Sequence, residues 1–235
     1  MTRFYLKLIV ALHLVLINNV SSYAETLFPL ASDVSHQDTI PDNQDLYNGR
    51  IWRNTYYQIE GDQFLFTDKF LPGSVTMRGK TFNNVMIRYD ILKDEINIPV
   101  IPWGIVQLNK EMTDSFSFVF ENKTYRFARF PDKNPTGLEG YCQFLYGGKT
   151  FLFVRYSKYI VRSSSVGKND RFYQVSRTYF VKDSLAYQVK GKHDLLKVLY
   201  DDKKVVRNII RENKLDISGD PESMVPLISY IDRLR

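Results

Sequence analysis

Nine basic side chains (Lys149, Arg155, Lys158, Arg162, Lys168, Arg171, Arg177, Lys182 and Lys190) fall between residues 149 and 190, where only Asp170 and Asp183 carry the opposite charge. Such an excess draws an anionic surface toward the chain and concentrates it there. Tyr156, Tyr159 and Tyr173 are interleaved with these bases and add contact area. Arg155, Lys158, Arg162, Arg171 and Arg177 with the three tyrosines form the candidate binding set. Their expected partner is an envelope protein or an anionic envelope polymer. A solvated outer sheet face would show the same excess.

Other chemistry is thinly supplied. His13, His36 and His193 are the three histidines, and Cys142 is the one cysteine. These are too few and too scattered for a zinc site, and one thiol makes no intrachain disulfide. Cys142 alternates with Phe144 and Tyr146, the pattern of a small buried apolar side chain. There is no G-x-S-x-G elbow, Walker A loop, dinucleotide fingerprint or EF-hand loop. No catalytic residue, metal or cofactor is therefore expected. Asp90, Asp94 and Glu95 are the residual route to catalysis, as a carboxylate pair acting on glycan.

The elements that would position these residues read as strands. Val85, Ile87, Tyr89 and Ile91 alternate with Arg88 and Asp90, and Phe116, Phe118 and Phe120 alternate with Ser115, Ser117 and Val119. That is the period of half-buried strands. Arg78-Gly79-Lys80, Glu121-Asn122-Lys123, Gly147-Gly148 and Lys182-Asp183-Ser184 punctuate them as short turns, with the glycine pair read as a two-residue hairpin. Short connections favour an antiparallel meander, because parallel pairing needs long crossovers. The expected fold is mainly β: a meander over residues 47–191 forming a curled sheet, barrel or sandwich. A curled sheet could also enclose a lipid or other small apolar ligand.

From Gly191 the period becomes helical. Leu195, Leu196 and Leu199 mark one helix, and Val205, Val206, Ile209 and Ile210 a second. Asp220-Pro221-Glu222 opens a third, continued by Leu227, Ile228, Ile231 and Leu234. Pro226 should distort its first turn. Residues 192–235 are thus expected to pack as helices on the β body.

The beginning of the chain speaks to location. Arg3 and Lys7 precede an apolar run from Leu8 to Ile17, and Ser22-Tyr23-Ala24 places small residues where a signal peptidase cuts. Residues 1–24 read as a cleaved secretory signal. Residues 25–46 read as a flexible acidic arm, with Glu25, Asp33, Asp38, Asp42 and Asp45 and no base. The net formal charge of +6 falls to +4 without Arg3 and Lys7, and the acids of the arm leave +9 on residues 47–235. Export removes nucleic acid from the expected partners, and no transmembrane helix is expected after cleavage.

Leu46-Tyr47-Asn48-Gly49-Arg50, Gly73-Ser74-Val75, Phe82-Asn83-Asn84-Val85 and the ending from Leu195-Leu196 through Ile228-Ser229-Tyr230 resemble a family of uncharacterised exported proteins from Gram-negative bacteria. The resemblance implies a periplasmic or outer-membrane-associated location and supplies no catalytic residue. Together the readings describe a non-enzymatic, secreted cell-envelope binding protein. A lipid carrier and a carboxylate-dependent glycan hydrolase stand as alternatives.

Overall fold

Eleven strands follow one another among the described residues: β1 (Gly49–Ile51), β2 (Leu71–Met77), β3 (Lys80–Asp90), β4 (Glu95–Val100), β5 (Gly104–Leu108), β6 (Thr113–Phe120), β7 (Lys123–Phe130), β8 (Gly140–Gly147), β9 (Phe151–Val161), β10 (Arg171–Lys182) and β11 (Leu185–Val189). The computed structural model describes residues 45–235 except 101, 103, 132, 134, 135, 165, 166, 168, 200–202, 218 and 235. The signal at 1–24, nearly all of the acidic arm, and Lys168 lie outside the described residues. All pairings between these strands are antiparallel, in the order β1-β5-β4-β3-β2-β6-β7-β8-β9-β10-β11. The sheet does not close into a barrel.

Turn chemistry fixes much of the register. Arg78-Gly79 joins β2 to β3, Glu121-Asn122 joins β6 to β7, and Asp183-Ser184 joins β10 to β11. All six residues have positive φ, between 48° and 76°. Paired positive φ is the twist-compatible hairpin geometry. Gly147-Gly148 behaves otherwise. The connection spans residues 148–150, and neither glycine is among the residues of positive φ. Their small size answers crowding instead: a Cβ on Gly148 would lie 2.6 Å from Asp232 Oδ2, and one on Gly147 2.7 Å from Phe144 Cζ.

One connection departs from a simple meander. β6 pairs with β2, although β5 precedes it and three strands separate the two in the sheet. Residues 109–112 suffice for this return because β3 serves two ladders. Its residues up to Ile87 pair with β2, and Arg88–Asp90 pair with β4. Past that point β4 and β5 cap the core with Ile96, Ile98 and Leu108, while β1 is exposed along its length.

Beneath that cap lies an aromatic interior. Phe116 and Phe127 stack at 4.7 Å between centroids, while Tyr89 meets Phe116 edge-on at 5.0 Å and Tyr141 meets Phe116 at 5.1 Å. Each such pair contributes about 0.5–1.5 kcal/mol beyond its buried area. Val75, Met77, Ile87, Ile96, Ile98 and Leu108 complete the cluster. The inside of the curl is thus filled by side chains.

Residues 60–65 occupy the seam between β3 and the β9–β10 hairpin. Glu60 N–H donates to Asp170 O, Phe172 N–H to Glu60 O, Ile91 N–H to Gln63 O and Leu65 N–H to Tyr89 O, at 2.8–3.3 Å. This strap satisfies backbone groups that a closing ladder would otherwise take.

Helices α1 (Lys192–Val198), α2 (Lys203–Glu212) and α3 (Val225–Leu234) bury Leu195, Val206, Ile209, Ile210, Leu227, Ile228 and Ile231 against Leu152, Phe180 and Val189. Val205 and Leu234, expected on these apolar faces, are exposed. Asp220 caps a 3₁₀ turn over Pro221–Met224, its side chain accepting from Glu222 N–H, and α3 starts only afterwards with Pro226 in its first turn. Asp232 ties α3 to the sheet: its carboxylate accepts from the backbone N–H and the hydroxyl of Thr150, each at 2.9 Å.

Candidate functional site

The β9–β10 hairpin carries the candidate binding set, and its register sorts that set by face. Residues directly opposite across a ladder share a face, and neighbours along a strand alternate. The ladder pairs Arg171 with Val161, Tyr173 with Tyr159, Val175 with Ser157, Arg177 with Arg155 and Tyr179 with Phe153. Arg155, Tyr159, Arg171, Tyr173 and Arg177 therefore lie on the outer face. Tyr156 and Lys158 turn the other way, toward the filled interior.

Several members of the set are engaged elsewhere. Lys158 Nζ donates to Phe64 O at 2.6 Å and Asp62 O at 2.9 Å, and pairs with the Asp62 carboxylate at 3.2 Å. It anchors the strap across the seam and is 13% exposed. Tyr156 donates its hydroxyl to Gln143 Oε1 at 2.7 Å and packs against the aromatic interior, where burial pushes its phenol pKa up. Arg155 lies on the outer face but is held by Glu139 at 2.7 Å. Arg162, Arg171 and Arg177 are exposed, as are Tyr159 and Tyr173, whose rings lie 5.1 Å apart.

A cleft of about 560 Å³ opens at the end of this hairpin, lined by Glu60, Val161, Arg162, Ser163, Ser164, Asn169 and Arg171. Val161 and Arg171 are the outer-face pair, so the cleft continues the tyrosine-bearing strip. Asp170 holds the loop beside it by accepting the Ser163 N–H at 2.9 Å. Glu60 comes from about a hundred residues upstream and arrives through the strap's parallel bridge to Arg171. No local pattern in the sequence announces it. The alternation of β9 would have announced the other surprise, since period two separates Tyr156 and Lys158 from Arg155 and Tyr159.

Two of the carboxylates expected as the route to catalysis, Asp90 and Asp94, accept hydrogen bonds from within the fold. Asp90 is fully buried, and its Oδ1 accepts from Leu92 and Lys93 N–H at 3.0 Å. Asp94 accepts from the Tyr89 hydroxyl and Lys110 Nζ, both at 2.6 Å. Arg88, beside Asp90, is enclosed by Phe64, Trp52 and Phe70 at 3.9, 4.6 and 4.6 Å. Cys142 is fully buried, and burial pushes its thiol up to about 12. Among the described residues no group of three or more His, Cys, Asp or Glu is placed to hold a metal ion.

Glu95 carries a pH prediction. Burial raises its carboxyl pKa, Lys93 opposes the shift, and the charge of Asp90 adds to it. A raised folded-state pKa means the folded chain binds this proton more readily than the unfolded chain. Stability therefore falls as pH rises from the ordinary value near ~4.3 through the raised one. Its partner Arg50 lies 3.6 Å away with an 80% exposed side chain, so that pair contributes little. Glu95→Gln should be more stable than the parent at pH 7 and converge with it below about pH 4. Urea midpoints across pH 4–8 check this; parallel curves would refute it.

Comparison with known proteins finds no matching family model, no matching curated protein and no matching solved structure. Among the described residues no helix is long and apolar enough to cross a membrane.

Proposed function

We propose that this chain is a non-enzymatic exported envelope protein that binds an anionic envelope component through the outer face of β9–β10. The observation that carries the reading is that exposed Arg171 and Arg177 share the outer face with the Tyr159–Tyr173 pair, and that exposed Arg162, past the end of β9, lines the open cleft beside them. Glu139 is spent on Arg155, Asp62 on Lys158 and Asp170 on the loop backbone, while Glu60 shares the cleft with Arg162 and Arg171 and offsets only one of those two charges. The secretory signal read at residues 1–24 supports an envelope setting, periplasmic or at the outer membrane. The apolar carrier has less support, because aromatic rings fill the inside of the curl.

The test is retention of the full chain on envelope fractions from its host. Arg162→Glu, Arg171→Glu and Arg177→Glu together should weaken retention about tenfold or more, at roughly 0.5–1 kcal/mol for each charge lost. Retention should also fall with added salt, as exposed charges are screened. A triple variant that folds and is retained like the parent would overturn the reading.

A further inference from the structure

We propose that this face reads a linear acidic polysaccharide, laid along the strands with one anionic group seated in the end cleft; the inference rests on the anion-binding reading above. Arg171 and Arg177 lie six positions apart on one face of an extended strand, about 20 Å. The cations thus form a line, which suits a chain whose charges repeat along its length.

Between them stand Tyr159 and Tyr173, directly opposite each other and each 49% exposed. A polyphosphate offers nothing apolar to these rings, and a lipid surface would engage them by insertion of the ring edge and not by stacking on its face. A sugar ring offers a C–H face to the aromatic plane, while its hydroxyl and carboxylate groups project sideways to polar partners. The cleft provides such partners. Arg162 and Arg171 present planar donor forks suited to a carboxylate or sulfate. Ser164 and Asn169 add a hydroxyl and an amide, which both donate and accept.

Glu60 sharpens the choice. It lines the cleft, and a carboxylate there accepts from sugar hydroxyls and repels densely charged polymers. A glycan with about one charge per sugar tolerates that neighbour better than a polyphosphate or a run of acidic side chains.

The test measures binding of the full chain to alginate, dextran sulfate, neutral dextran, poly-L-glutamate and phosphatidylglycerol vesicles. Two paired variants accompany it, Tyr159→Leu with Tyr173→Leu, and Tyr159→Phe with Tyr173→Phe. Alginate, with one carboxylate per sugar, should bind more tightly than the densely charged dextran sulfate, and neutral dextran should not bind. The leucine pair should weaken alginate binding about tenfold and the phenylalanine pair should retain it, since the ring face makes the contact. An unchanged thermal midpoint in both pairs excludes misfolding as the cause. Poly-L-glutamate or vesicles binding as tightly as the glycans, with no effect of the leucine pair, would overturn the polysaccharide while leaving the anion site standing. Glycan binding that survives Arg171→Glu with Arg177→Glu would overturn the site itself, and binding to none of the anions would overturn both.

Discussion

Asp94→Ala is expected to cost about 4 kcal/mol, a large share of the 5–15 kcal/mol that holds a typical domain folded. The carboxylate sits where β3 turns into β4 and gathers three donors, one from five residues back and two from farther along the chain. The Tyr89 hydroxyl and Lys110 Nζ each approach to 2.6 Å, and Tyr141 N–H to 3.3 Å. Tyr89 is buried at the centre of the aromatic interior, and its phenol has no exit to water. Truncating Asp94 leaves that hydroxyl unsatisfied, about 1–3 kcal/mol, and removes hydrogen bonds to a charged acceptor worth about 1.5–3 kcal/mol each. The contributions share one carboxylate and do not simply add. Backbone geometry deepens the loss, since Asp94 has φ +58°, a region Asp and Asn tolerate and Ala does not favour. Asp94→Asn should therefore cost about half as much, keeping an acceptor and the backbone preference while losing the charge opposite Lys110. Urea unfolding of both variants decides the matter. An alanine variant within about 1 kcal/mol of the parent would show that the network is ornamental.

The same residue shows how unevenly the fold could be read from sequence. Period-two alternation in 85–91 and 115–120 placed the strands and their buried faces, because one side of each strand meets apolar neighbours and the other meets water or a strap. Short polar turns placed three hairpins, and Asp220-Pro221-Glu222 placed a helix start. None of this depends on distant contacts. The gathering of Asp94, Lys110 and Tyr141 does, as does the bending of β3 between two ladders that lets β6 return to β2. Residues 52–70 carry no sustained period, yet they enclose Arg88 and fill the seam, work done by single side chains and backbone groups. The candidate site divides along the same line. Arg162, Arg171 and Arg177 were legible as bases, while their grouping with Glu60 required the strap to be in place.

Gly73→Ala is expected to cost about 3 kcal/mol or more, and the reason is the opposite of the usual one for glycine. Gly73 is not among the residues of positive φ, so its backbone conformation suits any side chain. What forbids a methyl group is the neighbouring strand. A Cβ there would overlap the carbonyl oxygen of Ser117, lie 2.9 Å from its carbon, and come within 3.0 Å of Ile87 Cδ1. Backbone atoms of a paired strand cannot swing aside as a side-chain tip can. β2 lies at the middle of the sheet, pairing with β3 on one side and β6 on the other, and its register already shifts between Gly73 and Val75. Relief therefore requires parting β2 from β6 where Phe118 and Phe116 pack the interior. Gly79→Ala supplies the contrast. Gly79 has φ +76° with nothing within 4 Å of an added Cβ, so its substitution costs only the left-handed backbone preference, about 1 kcal/mol. The expected order is Gly73→Ala well below Gly79→Ala in urea midpoint. The reverse order would mean that the β2–β6 ladder gives way at Gly73, and that turn geometry, more than close strand packing, holds this sheet together.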